Sequence, residues 1–145
     1  IDTALGLSAN YNFCIIGLGR LGSAFLNYSG FEQTNFTLKA GFDSSINRLE
    51  VLSSPVQLFP SFKMAEIIPR YNIGMALLCV PADQAERVSK TIIQAGIRAI
   101  INFAPIVLEA PGQVLIQNIY LGDELRYLAA RLHQLTDTTG LAKPE

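Results

Sequence analysis

The sequence feature that most constrains the fold is a glycine-rich turn near the start of the chain. An apolar run at residues 13–16 precedes Gly17, Gly19 and Gly22, and a segment with helical spacing of apolar residues follows at 21–28. In dinucleotide-binding folds the first glycine permits the turn, the second lets backbone amides approach a pyrophosphate, and the third lets helix and strand pack closely. The same spacing also occurs in strand-to-helix turns without a ligand, so the turn alone leaves both interpretations open.

The remainder of the chain alternates apolar runs with amphipathic segments. Residues 74–81 are almost continuously apolar, which is typical of a strand covered on both faces. Further strands are predicted at residues 36–43, 55–59, 97–103 and 113–119. Helices are predicted at residues 44–53, from 62 to near Pro69, at 82–96 with Gly96 as the C-terminal cap, and at 121–135. The pattern predicts an α/β fold of Rossmann type, with a doubly wound, mostly parallel sheet and helices on both faces.

Composition limits the classes of protein that this chain can represent. Its 145 residues are 50% hydrophobic, which suits one core and a single domain. Eleven basic and twelve acidic residues give a net charge of -1, without the excess positive charge typical of a free-standing nucleic-acid binder. The apolar runs are much shorter than the roughly 18 residues that span a bilayer, so no membrane association is predicted.

Three of the predicted strands end in segments suited to ligand contact, because ligands of open parallel sheets bind at the carboxyl ends of the strands. Asp43 ends the second strand, where its carboxylate can accept hydrogen bonds from adenosine ribose hydroxyls and repel a 2′-phosphate, which favours NAD over NADP. A helix N-cap or turn role is the alternative for Asp43. The segments VPAD (80–83) and NFAP (102–105) follow the fourth and fifth strands, and they either border a nicotinamide or simply end the strands.

Residues that carry chemistry are few. Cys14 and Cys79 lie in apolar runs outside any CxxC or Cys/His cluster, which predicts small buried side chains in a reducing, cytoplasmic compartment and no metal site. The single histidine, His133, falls on the terminal helix as a surface or packing residue. Hydride transfer normally needs a general acid or base near the nicotinamide, and none is evident, so binding without catalysis is predicted. The alternatives are half of an NAD-dependent oxidoreductase and a CoA-binding domain of similar fold.

Longer segments of the chain resemble a known family. IIGLGRLGSAFLNYSGFE, FDSS, LLCVPADQAERVSKTIIQAGIRAIINFAP and VLIQNIYL, with the terminal helix, are similar to Rex, the bacterial redox-sensing transcriptional repressors, over residues 11–135. The resemblance implies an N-terminal winged-helix DNA-binding domain, and homodimers in which the C-terminal helix crosses to the partner. It also implies that NADH releases the operator and that NAD+ opposes the release. Residues 1–10 would end an inter-domain linker, 11–135 would form the NAD(H)-binding domain, and 136–145 would be a frayed tail.

The resemblance further implies which residues contact NADH or NAD+. The pyrophosphate would lie against the glycine turn, at Gly17, Gly19, Arg20, Leu21 and Gly22. Asp43 would contact the adenosine ribose. The nicotinamide would be bordered by Val80, Pro81, Asn102, Phe103, Ala104 and Pro105. Tyr28 matches a tyrosine that the family inserts near the partner's nicotinamide; without the resemblance it is an aromatic residue on a helix face, and Arg20 is a solvated residue of the first helical turn.

The two redox states of the cofactor differ in the charge of the nicotinamide ring, which is cationic when oxidised and neutral when reduced. A pocket formed by Phe103, Pro105 and the partner's Tyr28 would be apolar. Burying an unpaired charge is costly, so tighter binding of NADH than of NAD+ is expected.

The end of the chain contains one departure from the family and one unassigned surface. Where family members have an aspartate that pairs with an arginine of the DNA-binding domain, this chain has Tyr120, and Asp123 and Glu124 lie about one helical turn further on. The terminal helix carries an apolar face formed by Leu121, Leu125, Leu128, Leu132 and Leu135. This face packs either on the chain's own sheet or, as the resemblance implies, on a partner subunit.

Overall fold

A six-stranded parallel sheet forms the centre of the protein in the computed structural model, which describes residues 9–139. The strands are β1 (Tyr11–Ile16), β2 (Phe36–Asp43), β3 (Leu58–Pro60), β4 (Met75–Leu78), β5 (Ala99–Asn102) and β6 (Leu115–Asn118). Their order is β3-β2-β1-β4-β5-β6, and each neighbouring pair is parallel. The predicted Rossmann-type fold is therefore confirmed.

Helices connect the strands and cover the sheet. They are α1 (Arg20–Leu26), α2 (Ile46–Val51), α3 (Met64–Arg70), α4 (Ala82–Ala95) and α5 (Leu121–Thr139), with short 3₁₀ turns at Ser29–Phe31 and Ser61–Lys63. The Ser45 hydroxyl accepts a hydrogen bond from the Arg48 amide (3.3 Å) and so caps α2. Gly96 ends α4 with a φ of +123°, a conformation that favours glycine, which confirms the predicted cap.

The core has two parts because alternate residues of each strand face opposite sides of the sheet. On one side, Cys14 and Ile16 of β1 pack among buried residues of α3 and α4. On the other side, Phe13 and Ile15 pack with Leu26 of α1 and with partly buried neighbours. Helices α3 and α4 therefore cover one face of the sheet, and α1 and α2 cover the other.

The face that carries α1 becomes more exposed toward β6. Ile15 of β1 is buried, and its register partners Leu77 of β4 and Ile101 of β5 are half-buried. Leu115 of β6 lies on the same face, two residues before the register partner of Ile101, and is 73% exposed. An apolar crevice of about 170 Å³ opens beside them, lined in part by Phe13 and Phe31. This half of the sheet presents an apolar surface that the described part of the chain covers only partly.

Tyr28 is not on a helix, contrary to the prediction. Helix α1 ends at Leu26 because Asn27 leaves helical backbone geometry, with φ of -113° and ψ of 20°. The Asn27 side-chain amide donates to the Ser53 carbonyl (3.1 Å) instead. Tyr28 precedes the 3₁₀ turn Ser29–Phe31 in extended backbone.

Other element boundaries differ from the predicted ones mainly at their ends. Strand β4 stops at Leu78 rather than at residue 81, and Pro81, which supplies no amide donor, is the N-cap of α4. Strand β3 has three residues instead of the predicted 55–59, and α2 is shorter than 44–53. Helix α5 continues to Thr139, so residues 136–139 of the predicted frayed tail are helical, while 140–145 lie outside the described residues. Residues 1–8 of the predicted linker end (residues 1–10) also lie outside them.

Candidate nucleotide-binding site

A pocket of about 640 Å³ lies at the carboxyl edge of the sheet. The chain runs from β1 outward to β2 and β3 and then returns to place β4 on the other side of β1, which makes a topological switch point there. Seven of the predicted contact residues line the pocket: Gly17, Gly19, Leu21, Asp43, Val80, Pro81 and Phe103. The structure thus brings the glycine turn, the end of β2 and the segment after β4 to one place.

The three glycines of the turn meet different surroundings. Gly17 has a φ of +91°, and a Cβ there would lie 2.6 Å from the Cys79 carbonyl oxygen. A Cβ on Gly22 would collide with the Gly17 carbonyl oxygen, so close contact between turn and helix requires glycine. A Cβ on Gly19 would meet nothing within 4 Å. Gly17 and Gly22 are therefore needed for packing, whereas Gly19 leaves open space at the pocket, as a bound pyrophosphate requires.

Backbone amides of the turn fall into two groups. The Gly17 amide donates to the Phe42 carbonyl (2.8 Å) and the Leu18 amide to Asp43 Oδ1 (2.7 Å), which fastens the turn to β2. The first bond within α1 runs from the Ser23 amide to the Gly19 carbonyl (2.9 Å). The amides of residues 19–22, at the start of α1, have no helical carbonyl as acceptor, so they can donate to an anion.

Asp43 joins two segments of the chain through one carboxylate. It is 4% exposed, and its oxygens accept from the Leu18 amide (2.7 Å) and the Ser45 amide (2.7 Å), with Arg48 Nη1 at 3.5 Å. The bond to Ser45 is the turn interaction expected for the alternative role of Asp43, and Ser45 itself is the N-cap of α2. Because each carboxylate oxygen has two acceptor positions, the Asp43 side chain can still accept from a ribose hydroxyl at the pocket wall.

The residues predicted to border the nicotinamide separate into three groups. Val80, Pro81 and Phe103 line the pocket, and the Phe103 ring packs on Phe25 with centroids 5.2 Å apart. Ala104 and Pro105 line a neighbouring crevice of about 300 Å³. Asn102 is fully buried, and its side chain binds protein groups instead of facing either space.

Tyr28 and Tyr120 both lie away from the pocket. The Tyr28 ring is 55% exposed and meets Phe31 edge-on, with centroids 4.9 Å apart. Tyr120 lines the neighbouring crevice together with Asp123, which pairs with Arg126 (2.7 Å). Within the described part of the chain, Tyr28 therefore has no contact with the pocket of its own subunit.

Two arginines of the pocket were absent from the predicted contacts. Arg48 follows β2, and Arg87 lies on α4 after the VPAD segment. These two arginines outnumber the single carboxylate of Asp43, so the charged side chains that line the pocket carry a net positive charge. A net positive charge favours an anionic ligand. Gln84, Arg87 and Thr91 recur at helical spacing on α4, and this polar stripe is the signal that could have indicated Arg87.

The structure agrees with the predicted burial of Cys14 and the surface position of His133, whereas Cys79 is half-buried and lines the pocket. Cys14 is buried, and burial raises the pKa of its thiol far above the ordinary value; burial likewise raises the pKa of Cys79 to about 12. His133 is at the surface, 3.1 Å from Asp137. Among residues 9–139, no cluster of three or more His, Cys, Asp or Glu side chains could hold a metal ion, and no described helix is long and apolar enough to cross a membrane.

The parallel sheet, the glycine turn and the positively charged pocket at the switch point define a Rossmann-type nucleotide-binding domain. A family model described as a CoA binding domain matches residues 8–106. The chain belongs to the Rex family of redox-sensing transcriptional repressors. It is 38% identical over 130 residues to the redox-sensing transcriptional repressor Rex of Caldanaerobacter subterraneus subsp. tengcongensis, which covers 90% of this chain and 58% of that protein. Rex of Clostridioides difficile is 35% identical over 86% of this chain and 60% of its own length.

Solved structures give the same assignment. RSP, a Rex-family repressor, has been solved in complex with β-NADH and superposes with a TM-score of 0.83 at 35% identity, over 97% of this chain and 68% of that one. RSP in complex with β-NAD+ and operator DNA superposes equally well, at 37% identity, over 97% of this chain and 64% of that one. A scyllo-inositol dehydrogenase from Lactobacillus casei, at 18% identity and a TM-score of 0.62, shares the fold alone. This chain thus spans about three fifths of the length of the curated relatives.

Proposed function

We propose that this chain is the NAD(H)-binding, redox-sensing domain of a transcriptional repressor. The observation that carries the proposal is the glycine turn. Gly17 and Gly22 are required for packing, while Gly19 leaves open space beside amides at the start of α1 that have no helical acceptor. A relative with 35% identity, RSP, is known in complex with β-NADH. The site would use the cofactor as a signal, because no His, Glu, Lys or Tyr side chain of the described residues lines the pocket. The carboxylate of Asp43 is assigned to the ribose, and burial raises the pKa of the Cys79 thiol to about 12.

The pocket offers a separate environment to each part of the dinucleotide. The first-turn amides at Arg20 and Leu21 would hold the pyrophosphate, and Arg87 in the pocket lining would add positive charge. Asp43 would accept from the adenosine ribose and disfavour a 2′-phosphate, which makes NAD(H) the preferred cofactor over NADP(H). The nicotinamide would lie toward Val80, Pro81 and Phe103.

Redox sensing would follow from the charge of the nicotinamide ring. A ligand shifts an equilibrium only by its differential affinity for the two states, so the two cofactor forms must bind differently. Val80 and Phe103 form an apolar wall, and a cationic ring beside it loses hydration without gaining a counter-charge. NADH should therefore bind more tightly than NAD+.

Homodimerisation through α5 would cover the apolar surfaces that the single chain leaves exposed. Its leucine face is exposed in the single chain, from 49% at Leu132 to 72% at Leu121, so packing on its own sheet does not account for it. The partly covered half of the sheet near Leu115 offers a second apolar surface. In the dimer, Tyr28 would reach the nicotinamide pocket of the partner subunit.

Operator DNA would be bound by a winged-helix domain of the complete repressor, in the cytoplasm. RSP has been solved with operator DNA, and this chain spans 58% of its relative from Caldanaerobacter. With a net charge of -1, this domain lacks the excess positive charge that is typical of a DNA-binding domain. NADH binding would release the operator and NAD+ would oppose release.

Calorimetric titration of the protein with NADH, NAD+ and CoA tests the proposal. We expect NADH to bind more tightly than NAD+, and CoA not to compete with it. Equal affinities for NADH and NAD+ would contradict redox sensing by this domain. CoA that displaces NADH would favour the CoA-binding alternative, and turnover of a small carbonyl substrate with NADH would favour the oxidoreductase.

A further inference from the structure

Asn102 and Asn118 occupy matching positions at the carboxyl ends of neighbouring strands. They are register partners in the parallel pair β5 and β6, so their side chains leave the same face of the sheet. The Asn102 amide nitrogen donates to Asn118 Oδ1 (3.0 Å). We call these two residues the amide pair.

The amide pair binds the loop that follows β5 (residues 103–108) at three places. Asn102 Oδ1 accepts from the Ala104 amide (3.0 Å), and its Nδ2 donates to the Ile106 carbonyl (2.8 Å). Asn118 Oδ1 accepts from the Leu108 amide (3.0 Å), and its Nδ2 donates to the Leu108 carbonyl (3.0 Å). Side-chain amides therefore replace the sheet partners that this loop's backbone lacks.

The same loop begins with a wall residue of the candidate nucleotide pocket. Phe103 lines that pocket, and its amide donates to the Leu78 carbonyl at the end of β4 (2.9 Å). Asn102 itself is fully buried and cannot touch a ligand without rearrangement. The amide pair can thus influence the pocket only through the loop.

We infer that Asn102 and Asn118 are positioning residues that set the nicotinamide end of the pocket by holding the loop 103–108 in place. The inference rests on the proposed NAD(H) binding. It replaces the expected direct contact of Asn102 with the ring, and it adds Asn118, which lies sixteen residues away in the chain. The adenosine end, formed by the glycine turn and Asp43, is attached to β1 and β2 and does not depend on this loop.

The test compares a ligand that contains nicotinamide with one that lacks it. Asn118→Ala removes both bonds to Leu108 and the bond from Asn102. We expect roughly tenfold weaker NADH binding by fluorescence titration, and a change of less than about twofold in ADP-ribose binding by calorimetry. Asn118→Asp keeps the acceptor but replaces the donor with a carboxylate oxygen that faces the Leu108 carbonyl, so it should weaken NADH binding at least as much as Asn118→Ala and leave ADP-ribose binding unchanged.

Asn12→Ala is the matched control. The Asn12 amide donates to the Tyr71 and Asn72 carbonyls (3.2 Å each), so it also holds a loop, but at the opposite edge of the sheet. This variant should bind NADH and ADP-ribose as the wild type does. Unchanged NADH binding in both Asn118 variants would overturn the inference alone, as would an equal loss of ADP-ribose binding. Failure of the wild type to bind NADH would overturn the proposed function as well.

Discussion

At the scale of single residues, Gly22 is needed for packing of the fold, whereas Gly19 is needed for the proposed ligand binding. Both belong to the glycine turn, yet a Cβ on Gly22 would strike the Gly17 carbonyl oxygen, whereas a Cβ on Gly19 would meet no atom within 4 Å. Gly19 also has a φ of -71°, which any residue adopts. Substitution by alanine at the two positions should therefore have opposite consequences.

We expect Gly22→Ala to reduce the free energy of unfolding by about 1–3 kcal/mol, because helix α1 must move away from the turn. Gly19→Ala should leave stability within about 0.5 kcal/mol of the wild type and weaken NADH binding at least roughly tenfold, since its methyl group enters the open space. Urea unfolding and NADH titration measure the two effects. Wild-type NADH affinity in Gly19→Ala would contradict a pyrophosphate at this turn.

Cys79 gives a prediction for the dependence of reactivity and stability on pH. Burial raises its pKa from 9.0 to about 12, so the thiol stays protonated in the folded protein at pH 8. Modification by a thiol reagent should be slow in the native protein and fast in urea. Because the folded pKa is raised, this contribution to stability is complete below pH 9 and decreases as the pH rises above it. Equal native and denatured reaction rates would show that the site is open to the reagent.

At the scale of secondary-structure elements, α5 differs from α3 and α4 because its apolar side chains are exposed. Leu125 and Leu128 are 67% and 61% exposed, whereas Ile92 of α4 and Ile68 of α3 are fully buried. An exposed leucine face of this length is typical of a helix whose partner surface lies elsewhere. The proposed homodimer supplies such a surface.

The variant Leu128→Glu should therefore dissociate the dimer without unfolding the chain. Burial of one leucine contributes about 1.5–3 kcal/mol, so the dimer dissociation constant should rise roughly tenfold or more. Ala130→Glu places the same charge on the opposite side of α5 and is the matched control. Sedimentation or light scattering measures both variants. A wild-type monomer at high protein concentration would contradict the proposed dimer.

At the scale of the whole molecule, the proposed sensor must be stabilised differently by the two forms of its cofactor. A ligand present at 100 times its dissociation constant stabilises the folded state by about 2.7 kcal/mol. For a chain of 145 residues this corresponds to a thermal midpoint raised by roughly 5–10 °C.

We expect NADH to raise the thermal midpoint more than NAD+ does when both are added at one concentration, as measured by scanning calorimetry. The physical reason is the cost of placing the oxidised, cationic ring beside the apolar wall at Val80 and Phe103. ADP-ribose, which has no nicotinamide and hence no redox forms, is the control, and its shift measures the stabilisation by the adenosine and pyrophosphate parts alone. An identical shift with NADH and NAD+ would exclude discrimination by this domain.

The sequence by itself determined the class of fold and the place of the pocket. Continuous apolar strands, helical periodicity and cap residues such as Gly96 are local features, and a parallel α/β sheet is the arrangement that satisfies them together. The spacing of the glycines after β1 likewise indicated the edge of the sheet at which the pocket lies, because the backbone conformation of each glycine is a local property. Segment ends such as those of β3 and α1 were less predictable, because side-chain contacts like that of Asn27 with Ser53 decide them.

Only the tertiary structure decided which polar side chains face the pocket and which hold its walls. Asn102 resembles a ligand contact in the sequence, but Asn118 of the neighbouring strand binds its amide within the protein. Asp43 similarly binds the Leu18 amide across 25 residues, while α5 keeps its leucines exposed. Such partners are distant in the chain, and hydrogen bonds and burial depend on distances in space, which local residue patterns do not encode.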